Sequence, residues 1–277
     1  MDVGRWPAIW LRDNCPCPDC RVPGSGQKLF QITELPDELA VTAVEEDADS
    51  VTETFGYVRE TNYGRVFDVR VEATPANLAS TGLALSPHTD NPYRDPVPTI
   101  QLLHCQASAA DGGDTLLVDG FAAAHRLRVE DPRSSGVLTR TPVPFGYPLA
   151  GLRAYQPLIE LSPEGRIRGI RFNNRSLQAL RRPPGEVTAF YVAYRRWAAL
   201  LARPELALTL RLAPGDCLIF DNTRVLHGRT AFTGSGDRLL QGCYADLDAL
   251  AGTLALLNET ALAENGVMAG GSGGRDR

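Results

Sequence analysis

Two residues with metal-ligating side chains lie close together in the segment Leu85-Ser-Pro-His88-Thr-Asp90. On an extended backbone, residues two positions apart project to the same face. The imidazole of His88 and the carboxylate of Asp90 are therefore expected to reach one ion. Serine, proline, aspartate and asparagine are also ordinary turn residues, so a polar turn without a metal is the alternative for this segment.

A third candidate ligand, His227, follows the apolar run Cys217–Phe220. We expect that run to be a barrel strand and His227 to lie at its mouth, where it can join His88 and Asp90 from across the sheet. Two histidines and one carboxylate, with open positions opposite them, are the ligand set of non-haem Fe(II) oxygenases. The open positions suit a 2-oxo acid and O₂. The alternative is a histidine that only satisfies hydrogen bonds in a loop.

A candidate anchor for a dicarboxylate lies at the start of the next predicted strand. The guanidinium of Arg238 matches a carboxylate with two parallel hydrogen bonds, and Thr115 offers a hydroxyl to the same group. The alternative interpretation of Arg238, taken alone, is an arginine that simply carries a charge on the protein surface.

The composition fits one large globular domain with a small appendage, since the chain has 277 residues, 43% of them hydrophobic, and a net charge of −5. The acidic balance argues against a nucleic-acid partner, and no apolar run reaches the length of a membrane span. The first residues lack the basic and apolar regions of a secretory signal. We therefore expect a cytoplasmic, reduced protein without a disulfide framework.

Many short strands, turns rich in glycine and proline, and few helices predict a mainly β protein: a jelly-roll barrel with covering helices. The clearest helix is predicted over residues 186–203, and a closing helix over 247–258. Residues 132–185 are predicted to form loops, including a lid, around one strand at 167–172. The glycine-rich end, 264–277, predicts a disordered tail.

A small N-terminal unit is predicted over residues 1–46, separate from the main domain at 55–260. Three thiols, Cys15, Cys17 and Cys20, lie within six positions, which suits tetrahedral zinc. The fourth ligand is missing, because the first histidine of the chain is His88, so we expect weak or substoichiometric zinc. A reduced loop without metal is the alternative, and the unit as a protein-interaction module is another.

Several motifs resemble the 2-oxoglutarate-dependent taurine dioxygenase superfamily. They are His88-Thr-Asp90, Gly112-Gly-Asp-Thr115, Asp221-Asn-Thr-Arg-Val-Leu-His227-Gly-Arg and Arg238. A second set is similar to the gamma-butyrobetaine hydroxylase and trimethyllysine dioxygenase branch. This set comprises Trp10-Leu-Arg-Asp-Asn-Cys-Pro-Cys, Gln101-Leu-Leu-His-Cys, Val118-Asp-Gly-Phe and Leu240-Gln-Gly-Cys-Tyr-Ala-Asp. The resemblance covers most of residues 6–258.

The resemblance implies a double-stranded β-helix fold and assigns His88, Asp90 and His227 to iron. It assigns Arg238 and Thr115 to 2-oxoglutarate. This chain differs from the branch in two places. The branch's zinc-binding histidine is absent here, and the family carries further chain before the segment Phe55-Gly-Tyr.

The substrate pocket implied by the resemblance is an aromatic cage for a trimethylammonium group. The positions that match the cage are Tyr63, Phe67, Ser80 and Asn91, of which two are aromatic and two polar. Tyr93 and Tyr244 are alternative rings for closing the cage. The residues that match the acidic end of the substrate are Asn173, Asn174 and Arg175.

The implied function is an Fe(II)/2-oxoglutarate-dependent dioxygenase, with O₂ as co-substrate, that hydroxylates a small zwitterion. Gamma-butyrobetaine, giving a carnitine-like product, is the first expectation, and an aminoalkylphosphonate or its N-methylated form is the alternative. A shortened, non-catalytic member that acts as a binding protein is a further alternative. The branch is often dimeric, so the resemblance leaves a homodimer open, although the shortened N-terminal region could change the assembly.

Overall fold

The computed structural model describes residues 56–71, 78–109, 111–233 and 238–269, and for residues 259–269 it describes the backbone alone. The predicted N-terminal unit at 1–46, with Cys15, Cys17 and Cys20, lies outside this part of the chain. So do residues 270–277 of the predicted tail.

Two antiparallel sheets of four strands each carry the site. The described residues form fourteen strands, eight of them in these two sheets and six in three two-stranded pairs: β1 (Val66–Val69), β2 (Leu85–His88), β3 (Ile100–Ser108), β4 (Asp111–Gly112), β5 (Thr115–Asp119), β6 (Val143–Tyr147), β7 (Leu152–Gln156), β8 (Ile159–Leu161), β9 (Ile167–Ile170), β10 (Ala207–Leu210), β11 (Cys217–Asp221), β12 (Val225–Arg229), β13 (Phe232–Thr233) and β14 (Arg238–Ala245). Sheet I has the order β1-β14-β3-β11, and sheet II has the order β10-β5-β12-β2. Residues of both sheets line one cavity, so the predicted mainly β, jelly-roll architecture is confirmed.

The register of sheet I follows from the long apolar strand β3. Gln101 pairs with Tyr244 on β14, and because paired residues point to the same face, both side chains reach the cavity. Leu102 and its partner Cys243 point the other way and are fully buried in a small second core. Alternation along the strand thus gives sheet I one cavity face and one packed face.

Sheet II alternates in the same way, and its outer face carries the main core. Val118 of β5 and Leu226 of β12 pair across the two strands and are almost completely buried in that core. Since Leu226 points outward, the next residue, His227, points into the cavity. The packing of the outer face therefore fixes the direction of a predicted metal ligand.

The described ranges contain four α-helices besides the strands. They are α1 (Gly120–Glu130), α2 (Pro132–Arg140), α3 (Pro184–Leu201) and α4 (Leu247–Ala269). The carboxylate of Asp119 accepts hydrogen bonds from the backbone N–H of Phe121 and Ala122, which caps α1. Phe190 and Trp197 of α3 are completely buried in the main core, so the helix predicted over 186–203 is present with its aromatic stripe facing inward.

The prediction of loops over residues 132–185 is wrong. The chain forms α2 and two hairpins there, β6 with β7 and β8 with β9. Asp131 caps α2 and Pro132 occupies its first turn, which are ordinary helix-start signals. Pro132 and Pro184 lie in the first turns of α2 and α3, where a missing N–H costs little.

The closing helix begins at Leu247 but continues beyond its predicted end at residue 258, to Ala269. It takes in the first residues of the predicted disordered tail, because leucine, alanine and glutamate dominate residues 254–264 and favour helix. None of the helices in the described ranges is both long and apolar enough to cross a membrane.

Candidate metal centre and substrate cavity

Two of the three candidate metal ligands lie on neighbouring strands of sheet II, and the third lies just after one of these strands. His88 ends β2, Asp90 follows two positions later, and the register places His227 of β12 opposite His88. The centroids of the two imidazole rings are 4.4 Å apart. One ligand atom from each of the three residues lies within 4.8 Å of the others. Strand pairing therefore brings the predicted iron ligands together.

The strand that carries His227 differs from the prediction. We expected His227 to follow the strand Cys217–Phe220 at the barrel mouth, but it lies within the next strand, Val225–Arg229, between β5 and β2. The neighbouring Gly228 lets β12 approach β2, because a Cβ at this position would lie 2.4 Å from the carbonyl oxygen of Leu85. Because β12 contains polar residues, its sequence does not show the apolar pattern expected of a strand that is buried on both faces.

Hydrogen bonds orient two of the three ligands. Nδ1 of His88 lies 2.9 Å from the carbonyl oxygen of Ser86, which makes Nδ1 the protonated nitrogen and leaves Nε2 as the ligand atom. Oδ2 of Asp90 accepts hydrogen bonds from Gln101 Nε2 at 2.9 Å and Tyr244 Oη at 2.8 Å. Oδ1 of Asp90 lies 3.4 Å from His88 Nε2 and is the oxygen available to a metal.

His227 is held differently. Its Nδ1 is buried and has no hydrogen-bond partner in the described part of the chain. The ring instead packs against Phe220, with 5.1 Å between the two centroids. Its orientation therefore rests on packing.

A buried amide clamps the backbone beside Asp90. The side chain of Asn222 accepts a hydrogen bond from the N–H of Asp90 at 2.8 Å, and donates to the carbonyl oxygens of Asp90 and Pro98 at 3.0 and 2.9 Å. Asn222 is completely buried. The sequence showed it only as part of the motif around His227, and its positioning role was missed.

Replacing Asn222 by alanine is expected to lower both iron affinity and stability. The change leaves the N–H and carbonyl of Asp90 and the carbonyl of Pro98 without partners, at a cost of about 1–3 kcal/mol for each buried group left unsatisfied. Thermal unfolding and an iron titration would measure the two effects. Asn174→Ala is the control, since Asn174 is exposed, and equal losses in both variants would contradict a role for the clamp.

The electrostatics of the three ligands favour metal binding. Burial acts to raise the pKa of Asp90, but the charge of His227, with the hydrogen bond and charge of His88, outweighs it and holds that pKa far below its ordinary value. Burial and the charge of His88 lower the pKa of His227 to about 3. A carboxylate and a neutral imidazole are the forms that bind a metal, so the residues present fit iron.

The predicted 2-oxoglutarate anchor lies in the same cavity but on the facing sheet. Arg238 begins β14, and one of its terminal nitrogens, Nη1, is buried with no hydrogen-bond partner within the described ranges. Its other terminal nitrogen lies 3.4 Å from the carbonyl oxygen of Gly113. Thr115 of β5 is buried and also lines the cavity. A buried guanidinium nitrogen that is unpaired in the described ranges and a hydroxyl that lines the same cavity fit a carboxylate.

A second buried arginine, Arg229, was missed by the sequence reading. Its guanidinium donates to the carbonyl oxygens of Ala79 at 2.9 Å and Leu83 at 3.2 Å, and to that of Thr81. Burial, together with the charges of Arg238 and Arg175, lowers the pKa of Arg229 to about 10. Arg229 thereby holds residues 79–83 beside the cavity.

Aromatic side chains form one wall of the cavity, whose volume is about 910 Å³. We call this group of five rings the aromatic wall: Tyr63, Phe67, Tyr93, Tyr147 and Tyr244. The closest ring pairs are Tyr93 with Tyr147 at 5.3 Å and Phe67 with Tyr244 at 5.4 Å between centroids. The hydroxyls of Tyr63 and Tyr93 lie 3.1 Å apart. The alternative rings Tyr93 and Tyr244 thus lie in the wall, and Tyr147 was missed because its hairpin was not predicted.

Four of the remaining predicted substrate residues line the cavity: Ser80, Asn91, Asn173 and Arg175. Asn173 donates to the carbonyl oxygen of Thr89, and its Oδ1 accepts from Arg175 Nε at 3.2 Å, so this amide orients the guanidinium. Asn174 is different, because it is exposed, lies outside the cavity lining and accepts a hydrogen bond from Tyr194.

Two family models match the sequence. The model of the taurine catabolism dioxygenase TauD, TfdA family matches residues 30–244, and that of the gamma-butyrobetaine hydroxylase-like N-terminal region matches residues 2–56. The first covers the whole candidate site.

The chain is similar to characterised enzymes from two branches. It is 29% identical over 342 residues to the gamma-butyrobetaine dioxygenase of Pseudomonas sp. (strain AK-1), covering 90% of this chain and 89% of the relative. It is 36% identical over 222 residues to the trimethyllysine dioxygenase of Meyerozyma guilliermondii, covering 77% of this chain and 55% of the relative. The first alignment is longer than the 277 residues of this chain, so the Pseudomonas enzyme carries residues with no counterpart here.

Among solved structures, the chain is similar to PvcB, described as an Fe, alpha-ketoglutarate dependent oxygenase from an isonitrile synthetic pathway. The TM-score is 0.52 at 26% sequence identity, over 72% of this chain and 70% of PvcB.

Proposed function

This chain belongs to the taurine catabolism dioxygenase TauD, TfdA family, and from that premise we propose that it hydroxylates a small zwitterion with the charge layout of gamma-butyrobetaine. It is an Fe(II)/2-oxoglutarate-dependent dioxygenase. The observation that carries the substrate proposal is the convergence of three elements on one cavity: the metal ligands, the aromatic wall and the cavity-lining Arg175.

The residues that would hold iron are His88 and His227 through Nε2 and Asp90 through Oδ1. Bound iron, together with 2-oxoglutarate and O₂, supplies the oxidising power for hydroxylating an unactivated C–H bond. The protein supplies binding and orientation: Arg238 and Thr115 hold the distal carboxylate of 2-oxoglutarate, and the surrounding side chains exclude water.

The two ends of the proposed substrate meet different surfaces. Ring faces of the aromatic wall attract a cationic nitrogen, at about 0.5–2 kcal/mol for each ring that the cation contacts. Arg175, steered by Asn173, offers a guanidinium to the acidic end. A zwitterion satisfies both surfaces at once, whereas a simple amine or a simple acid satisfies one.

We expect the full chain, supplied with Fe(II), 2-oxoglutarate and O₂, to form succinate and a product one oxygen atom heavier from gamma-butyrobetaine or its less methylated forms. The matched control is 5,5-dimethylhexanoate, in which carbon replaces the cationic nitrogen at nearly constant shape, and it should stimulate succinate formation far less. If none of the zwitterions tested raises the rate of succinate formation, the proposal is contradicted.

An aminoalkylphosphonate, or its N-methylated form, is the second candidate. It is favoured by Arg175, whose Nε alone is engaged within the described ranges, so its terminal nitrogens can serve the extra oxygen of a phosphonate. Competition between a carboxylate and a phosphonate of equal chain length would decide, and Arg175→Ala should weaken the phosphonate more.

A further inference from the structure

We infer that the substrate's cationic nitrogen carries at least one N–H, which Asn91 recognises, so that a fully methylated nitrogen is selected against. The inference rests on the proposed function and narrows its substrate class. Two amide side chains in the cavity lining carry it: Asn91 and Gln101 are buried, at 2% and 1% exposure.

Asn91 has no side-chain hydrogen-bond partner among the described residues, although it lies directly after the candidate iron ligand Asp90. Both its Oδ1 and its Nδ2 are buried, and neither is paired in this part of the chain. Buried amides are nearly always paired, and leaving one unpaired costs free energy. Such a group in a cavity wall is expected to find its partner in a ligand.

The backbone of Asn91 is also unusual. Its φ is 53°, and it is the single non-glycine residue with positive φ among those described. Asparagine tolerates this conformation better than most residues, but the conformation still costs energy, and such strain concentrates at functional sites. The strained backbone holds the amide in the lining between Asp90 and Tyr93 of the aromatic wall.

Gln101 adds a second unpaired acceptor whose orientation is fixed. Its Nε2 donates to the carboxylate of Asp90 at 2.9 Å, so the atom opposite must be the oxygen. That oxygen, Oε1, is buried and has no partner within the residues that the structure describes. Two amide oxygens, from residues that line the same cavity as the aromatic wall, thus require hydrogen-bond donors.

The number of N–H groups on the cationic nitrogen determines whether a substrate can supply those donors. A primary, secondary or tertiary ammonium offers one to three N–H groups along with its positive charge, so it serves the rings and the amide oxygens together. A quaternary ammonium keeps the charge but has no N–H, and its methyl groups would cover the amide oxygens and leave them unpaired.

The test uses four compounds that differ only at nitrogen: 4-aminobutyrate and its mono-, di- and trimethylated forms. Calorimetry without O₂ would measure the dissociation constant of each for the full chain loaded with Fe(II) and 2-oxoglutarate, and succinate formation would measure turnover. The dimethyl compound carries one N–H where the trimethyl compound carries a third methyl group. We expect the trimethyl compound to bind at least about tenfold more weakly.

Two variants assign the preference to Asn91. Asn91→Gly suits the positive φ and removes the amide, so the difference between the dimethyl and trimethyl compounds should largely disappear. Asn91→Asp keeps an acceptor of equal size, so the preference should persist. Asn258→Gly removes an exposed amide on α4, outside the cavity lining, and should leave every dissociation constant unchanged.

The outcomes separate the inference from the proposed function. Trimethyl binding as tight as dimethyl binding, or a preference that survives Asn91→Gly, would overturn the inference while hydroxylation stands. Tighter binding of the N–H compounds without turnover of any would uphold the inference and overturn the proposed reaction. Binding of none of the four would overturn both.

Discussion

His227→Ala should abolish stoichiometric iron binding and, with it, substrate-dependent succinate formation. The variant leaves His88 and Asp90 as the remaining pair, and a metal held by two protein ligands loses affinity steeply. Removing a partner of a metal ligand costs about 10–100-fold in affinity, so losing the ligand itself should cost more than about a hundredfold. Iron content after dialysis and an Fe(II) titration would measure the loss.

His125→Ala is the matched control for removal of an imidazole. His125 is exposed on α1, where its Nδ1 accepts a hydrogen bond from Arg128, and it lies outside the cavity. Iron content and activity should be unchanged. Full iron occupancy in His227→Ala would defeat the assignment of this residue as a ligand.

Arg238→Ala should raise the KM for 2-oxoglutarate by at least about thirtyfold. Removing one partner of a charge-assisted pair costs about 2–5 kcal/mol when the other charge stays buried, and 1.4 kcal/mol corresponds to a factor of ten. Arg238→Lys keeps the charge but loses the two-pronged geometry, so its KM should lie between those of the parent protein and the alanine variant.

Arg126→Ala provides the comparison at a position where arginine forms an exposed pair with Glu130 on α1. Such surface pairs contribute about 0–1 kcal/mol, and the KM for 2-oxoglutarate should not change. An unchanged KM in Arg238→Ala as well would remove Arg238 from the binding site.

The parts of the site that sequence predicts well are those set by residue type and local spacing. His88, Asp90 and His227 were identified from their ligand chemistry and a family resemblance, and the structure brings them within reach of one ion. The long apolar strand β3 and the aromatic stripe of α3 were equally readable, because each repeats one pattern over several residues.

The parts that sequence misses depend on tertiary contacts. The amide of Asn222 reaches Asp90, 132 positions away, and nothing local distinguishes it from a turn residue. Tyr147 joins the aromatic wall through a hairpin whose prolines and glycines read as loop. His227 lies on a strand that is central to its sheet and was hidden by its own polar residues.

The site draws its groups from both sheets of the barrel. The metal ligands and Thr115 belong to the sheet II side, whereas Arg238 and the donors to Asp90, Gln101 and Tyr244, belong to sheet I. An ion and a co-substrate bound together would therefore link the two sheets across the cavity, in addition to the hydrogen bonds that Gln101 and Tyr244 donate to Asp90. Because a ligand that binds only the folded chain adds RT ln(1 + [L]/Kd) to its free energy of unfolding, the concentrations of iron and 2-oxoglutarate affect the stability of this protein as well as its rate of turnover.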